Sequence, residues 1–101
     1  MLSIKRFSDG PELKIVLRGT LDRLSSDDLL REVTSNGLKG VQRLVFDMAE
    51  LQYISSAGLR VMLIAERALQ KNNGKIIIMN TKPEVKQVIE DVGFLRFVEV
   101  E

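Results

Sequence analysis

Leu2 and Ile4, and then Leu13, Ile15 and Leu17, recur at every second position. Such alternation puts one set of side chains on one face of a pleated strand. Asp9-Gly10-Pro11 between the two sets is a turn signal, so the chain is predicted to open with two antiparallel strands. Gly19-Thr20-Leu21-Asp22 closes the second strand. Ser25 or Ser26 can then cap a helix whose first turn holds Asp27 and Asp28, where the helix dipole favours acidic groups. Leu29, Leu30 and Val33 give that helix an apolar stripe, and Asn36-Gly37 is its predicted stop.

Two continuous apolar runs follow, Leu44-Val45-Phe46 ending in Asp47, and Ile76-Ile77-Ile78-Met79. Runs of this kind suit central strands covered on both faces. Residues 57 to 72 read as a helix, with Leu59, Met62 and Leu63 on one side and Val61, Ile64, Ala65 and Ala68 on another, a width that implies deep burial. Asn72-Asn73-Gly74 supplies residues that accept a left-handed conformation at its end. Thr81-Lys82-Pro83-Glu84 has the form of a capping box, opening a helix marked by Val85, Val88, Ile89 and Val92 before Gly93. Phe97, Val98 and Val100 can form a last strand, and Met62, Met79 and Phe94 are assigned to the core. The order β-β-α-β-α-β-α-β predicts an α/β fold, a mixed sheet with parallel central pairings and right-handed crossovers. A chain of 101 residues suffices for one compact core, so residues 1–101 are read as a single domain.

Composition narrows the chemistry. With 45% hydrophobic and 29% charged residues the chain reads as an ordinary soluble domain. Fifteen basic and fourteen acidic residues nearly cancel, so no strong field draws it to nucleic acid or an anionic membrane, and no direct nucleic-acid partner is expected. Cysteine and histidine are both absent from the sequence. That removes disulfides, thiolate chemistry, the usual zinc, copper and haem ligand sets, and a Ser-His-Asp triad within the chain. No metal or cofactor is expected. The first residues carry Lys5, Arg6 and Asp9 rather than an apolar signal core, and no stretch approaches 18 apolar residues, so no membrane span and a cytoplasmic location are expected.

The richest segment for chemistry runs from Asp47 to Arg60, where Ser55-Ser56 stands between a predicted strand and the start of a predicted long helix. The first N–H groups of a helix lack partners and favour negative charge, although a bare Ser-Ser before a helix is most often just a cap. The full string Tyr53-Ile54-Ser55-Ser56-Ala57-Gly58-Leu59-Arg60, with Asp47 upstream, resembles the signature of STAS domains, the family of bacterial anti-sigma factor antagonists and of sulfate-transporter tails. In that family the phosphorylated serine lies two residues before the glycine, which points to Ser56; Ser55, the alternative, stands where phosphorylated members often carry aspartate. Gly19-Thr20-Leu21-Asp22 resembles the family's Gly-x-Leu-Asp turn. If the two loops are adjacent, Asp22 would orient the Ser56 hydroxyl before phosphoryl transfer and repel the phosphate after it.

The resemblance further implies that Ala57 and Gly58 leave room for a partner at the helix start. Leu59 and Arg60 would present it with an apolar and a cationic contact, the plainer alternative being a core leucine and a solvated arginine. The implied function is that of a stand-alone anti-sigma factor antagonist and not an enzyme. It would bind an anti-sigma factor that is also a serine kinase, be phosphorylated on Ser56 from that kinase's ATP, release it, and be reset by a metal-dependent serine phosphatase. The alternative is a cytosolic regulatory subunit associated with a membrane transporter, with Ser56 structural. Anion or nucleotide binding at Ser55 to Gly58 lacks the support of a glycine-rich loop. Asp47 sits where response regulators carry their phospho-acceptor, but no acidic pair follows the first strand, so it is read as a loop anchor. The esterase pattern Gly-x-Ser-x-Gly fails at Ile54, and no histidine is present to activate the hydroxyl.

Overall fold

A computed structural model of the chain describes residues 1–34, 37–91, 93 and 98–101. The elements follow the predicted order: β1 (Leu2–Asp9), β2 (Glu12–Leu21), α1 (Ser26–Val33), β3 (Arg43–Ile54), α2 (Ser56–Gln70), β4 (Lys75–Met79), α3 (Pro83–Asp91) and β5 (Glu99–Val100). They build one mixed sheet in the order β1-β2-β3-β4-β5. The opening hairpin is antiparallel and every later pairing is parallel.

Because the parallel strands are laid down in sequence without reversal, right-handed crossovers carry all three helices to the same face of the sheet. The core confirms it: Leu29 and Val33 of α1, Met62 and Leu69 of α2, and Val85 and Ile89 of α3 join one buried cluster with Leu13, Ile15, Leu17, Leu44, Phe46, Ile76 and Ile78. The apolar runs of β3 and β4 are buried on both faces, as expected, but helices cover only one of them. Val45 and Ile77 are also buried, at 5% and 0% exposure, yet they belong to the opposite face. Across the register that face continues into Lys14 and Glu99. It carries the ion pairs Arg43–Glu12 at 2.8 Å, Lys75–Glu99 at 3.0 Å and Lys14–Asp47 at 3.7 Å. Long cationic side chains lay their methylenes over apolar surface while their heads find partners, which is how a two-strand apolar strip lives without a helix above it.

Strand β3 runs well past Asp47, where the apolar run ends. Two register shifts against β2 lie in this extension, with Asp47 to Glu50 opposite Val16 to Arg18 and Leu51 to Tyr53 opposite Gly19 to Thr20. Each gives β3 one extra residue, a β-bulge. The buried positions there are accordingly Met48, Leu51 and Ile54, every third residue rather than every second. This bulged extension hands the chain into α2.

Several boundaries differ from expectation. Helix α1 stops at Val33, with the Thr34 hydroxyl donating to the Leu30 carbonyl at 2.8 Å, short of the Asn36-Gly37 stop; Asn36 lies outside the described residues. Helix α2 ends at Gln70, before Asn73 takes a left-handed φ of 57°. Its surface is not buried all round, since Ile64 is 38% exposed. At α3 the capping box is not formed: Pro83 is the first helical residue, which moves the cap to Lys82, and the buried Thr81 hydroxyl finds no partner among the described residues. Gly93 has the positive φ of a helix end, 75°. Of the three side chains assigned to the core, Met62 is buried and Met79 is half-buried. Val92, Phe94 and Phe97 lie outside the described residues.

Candidate functional site

The ends of β2 and β3 lie side by side and aim both loops at one edge of the sheet. Ser55 N–H donates to the Leu21 carbonyl at 2.9 Å, which ties the start of α2 to the turn after β2. Ser55 is extended (φ −95°, ψ 169°), its Oγ accepts from Gly58 N–H at 3.2 Å, and its carbonyl receives Leu59 N–H at 3.0 Å. Ser55 is thus the N-cap of α2. Ser56 is the first helical residue and is exposed. Since the Gly58 and Leu59 donors are taken, the N–H groups of Ser56 and Ala57 are the ones that a helix start leaves to solvent or to an anion. An exposed hydroxyl and two free donors occupy the same turn.

The structure revises the roles of the neighbours. Gly58 is buried, and a Cβ there would stand 2.6 Å from Leu21 Cγ, 2.9 Å from its Cδ2 and 3.2 Å from Ile54 Cγ1. The close approach of Leu21 within the chain is by itself a reason for glycine at this position. Leu59 is only 5% exposed and belongs to the core cluster, so its side chain offers no surface contact. Arg60 is exposed and Ala57 half-buried. Together with Arg23, Leu30, Val61 and Ile64 they line a groove of about 350 Å³ between α1 and α2.

Asp22 stands beside the serine loop through the Leu21–Ser55 bond, but the described hydrogen bonds of its carboxylate stay within its own turn. Oδ1 accepts from Leu24 N–H at 3.1 Å and Ser25 N–H at 2.9 Å and lies 3.0 Å from Ser25 Oγ. Ser25 Oγ accepts from Asp22 N–H at 2.9 Å and lies 2.9 Å from the Thr20 carbonyl. Hydrogen bonds from Ser25, first from its backbone and then from its side chain, hold the Asp22 carboxyl below its ordinary pKa. This network also explains why Ser25, although at the cap position of α1, makes no side-chain cap bond: its hydroxyl is turned back to Asp22 and Thr20. Ser26 likewise donates to the Asp22 carbonyl. Asp47 acts as the expected anchor, accepting from Ala49 N–H at 3.1 Å and Asn80 Nδ2 at 3.3 Å, but within β3 and not at its end.

Sequence reasoning gave no role to Arg23 or to Leu24, which is 86% exposed, and Tyr53, 51% exposed, entered it only as the first residue of the family string. The available signal was an apolar residue set in an otherwise polar turn, Asp22-Arg23-Leu24-Ser25-Ser26. None of the described helices is long and apolar enough to cross a membrane.

The profile of the STAS domain family matches residues 4–101. BtrV of Bordetella bronchiseptica, provisionally named an anti-sigma factor antagonist, is 38% identical over 79 residues, covering 78% of this chain and 68% of that protein. A solved anti-sigma factor antagonist from Mycobacterium paratuberculosis superposes with a TM-score of 0.86 at 15% identity, over 99% of this chain and 85% of that one. Bacillus SpoIIAA in its phosphorylated form superposes with a TM-score of 0.75 at 19% identity, over 100% of this chain and 91% of that one. At such identities the two structures attest to the shared fold, and the profile and the BtrV similarity carry the relationship by sequence. With the five-stranded mixed sheet and a helix opened by Ser55-Ser56, this chain belongs to the STAS domain family.

Proposed function

We propose that the protein is an anti-sigma factor antagonist that binds an anti-sigma factor with serine kinase activity and is released when that kinase phosphorylates Ser56. The observation that carries this reading is the division of labour between the two serines. Ser55 spends its hydroxyl on the Gly58 N–H, whereas Ser56 stands exposed one residue later. Modifying Ser55 would remove the cap of α2; modifying Ser56 leaves it in place.

In the transfer, Ser56 Oγ attacks the γ-phosphorus of the kinase's ATP, the O–P bond forms as the bond to ADP breaks, and the hydroxyl proton passes to a base of the kinase. The product carries roughly −1.5 to −2 charges near neutral pH, beside the free N–H groups of Ser56 and Ala57 and one helical turn from Arg60. The helix start tolerates that charge, while a partner surface shaped for a neutral hydroxyl does not. A penalty of about 3 kcal/mol in the complex weakens binding roughly a hundredfold, which suffices to return the anti-sigma factor to its sigma factor. A serine phosphatase resets the switch by hydrolysing the ester. This chain performs no catalysis in the cycle, which runs in the cytoplasm, where the sigma factor is.

The test is intact-mass analysis and site mapping after incubation with ATP and the anti-sigma factor kinases encoded in the same genome, using wild type, Ser55→Ala and Ser56→Ala. One phosphate on wild type and Ser55→Ala, absent from Ser56→Ala, is the expected result. No phosphate on wild type with any kinase would overturn the proposal in favour of a transporter-associated regulatory subunit with Ser56 structural.

A further inference from the structure

Exposed single hydrophobic residues are common and by themselves mean little. Leu24 is unusual in being both fully presented and firmly held. It is 86% exposed, against 55% for Phe7 and 51% for Tyr53. Yet its own N–H and that of Ser25 are bound by Asp22 Oδ1, and Ser25 Oγ is fastened to Asp22 and Thr20. A side chain displayed on an ordered turn loses little backbone freedom on binding, the condition under which one apolar contact contributes most to affinity.

Its position relates it to the serine. The turn is joined to the start of α2 by the Ser55–Leu21 backbone bond, and Arg23, the residue before Leu24, lines one groove with Ala57 and Arg60. A standard protein interface covers about 800 Å² per partner, a disc of about 16 Å radius, so a kinase seated over Ser56 has the reach to cover a turn tied to the start of α2. Charged groups of both signs surround it: Arg23, Arg60 and Asp27 border the groove on one flank, and Asp22, Asp28 and the Met1 N-terminal ammonium border a hollow of about 270 Å³ on the other. An apolar centre within a charged rim is the usual anatomy of a protein contact site.

We infer that Leu24 is the apolar anchor by which the kinase of Ser56 recognises this antagonist, seated in an apolar pocket of the kinase adjoining its active site. The inference rests on the reading of Ser56 as the phosphorylated residue. Leu24 does not touch the reacting atoms; it contributes to docking, so its loss lowers affinity without changing the chemical step. Truncation is clean, because the loop is held by the Leu24 backbone N–H and not by its side chain.

The experiment measures steady-state phosphorylation by the kinase that modifies wild type, with Leu24→Ala, Leu24→Met and the melting temperature of each protein. Leu24→Ala is expected to raise KM for the antagonist about tenfold to a hundredfold with kcat and melting temperature unchanged. Leu24→Met should restore KM to within about threefold of wild type, since methionine fills an apolar pocket of similar size. Phosphorylation of wild type at Ser56 together with an unchanged KM in Leu24→Ala overturns this inference alone. Absence of Ser56 phosphorylation in wild type overturns the functional reading and this inference with it.

Discussion

Gly58→Ala separates two readings of the glycine beside the serine loop. In a helix interior alanine is favoured over glycine by about 1 kcal/mol. If Gly58 served only to admit a partner, the substitution would leave the free protein as stable as before or slightly more so. The structure predicts the opposite sign. The new methyl carbon would stand 2.6 Å from Leu21 Cγ and 2.9 Å from Cδ2, and Leu21 and Ile54 are 0% and 1% exposed. Cγ is the branch point of the side chain, so relief requires rotation about χ1 inside a filled core. Overpacking of this kind costs about 1–3 kcal/mol. A 2.6 Å approach to a branch carbon belongs to the upper part of that range, about 2–3 kcal/mol, so after the helical gain the net loss is about 1–2 kcal/mol, or about 5–15 °C in melting temperature for a domain of this size. The Leu21 carbonyl also receives Ser55 N–H, so the displacement reaches the cap of α2. Thermal and urea unfolding of wild type and Gly58→Ala measure the difference. A variant that melts at or above wild type would refute the argument from Leu21.

The two serines should separate in stability as they do in geometry. Ser55→Ala removes the acceptor of Gly58 N–H and should cost about 1 kcal/mol, whereas Ser56→Ala should stay within about 0.5 kcal/mol of wild type; equal losses in urea unfolding would contradict the cap assignment. Thr81→Val replaces a buried hydroxyl that has no described partner by an isosteric methyl, and should be neutral or stabilising by up to about 1 kcal/mol. A loss larger than that in thermal unfolding would contradict an unpartnered hydroxyl at Thr81.

Alternation and turn chemistry were enough to read the opening hairpin, because Leu13, Ile15 and Leu17 face one core and Asp9-Gly10-Pro11 admits no other continuation. The element order followed from runs and caps of the same kind. What escaped was non-local. The apolar runs of β3 and β4 look alike on both faces, and only the unreversed strand order assigns Val45 and Ile77 to a face without helices. The second half of β3 is hidden by its bulges, since Met48, Leu51 and Ile54 recur with a spacing of three, which belongs to neither strand nor helix. At the candidate site, the family string picked out Ser56, while its physical contrast with Ser55 needed the Gly58 bond to appear. Leu24 was legible only as an anomaly, because exposure is a tertiary property.

Asp22 offers the sharpest test of whether the turn around Leu24 is organised by its carboxylate. Its hydrogen bonds with Ser25 and Leu24 lower its folded pKa below the ordinary value of 3.8. A lowered folded pKa means that the ionised form is favoured by folding, so the contribution is complete above about pH 4, where the unfolded group is also ionised, and is lost as pH falls through the folded value. At neutral pH the turn is therefore fully formed, and a pH change between 6 and 8 should leave it untouched. Acidification below about pH 4 should shift the amide resonances of Leu24 and Ser25 together, with a midpoint below the ordinary aspartate value. Asp22→Asn keeps one oxygen acceptor but removes the charge, so it should abolish this titration while weakening, rather than eliminating, the hold on Leu24 N–H. If the two amides titrate with an ordinary aspartate midpoint, or keep their acid shift in Asp22→Asn, the turn is organised by something other than this carboxylate. Kinase recognition should follow the same ordering, with Asp22→Asn raising KM less than Leu24→Ala does, because the asparagine still displays the leucine that the docking contact requires.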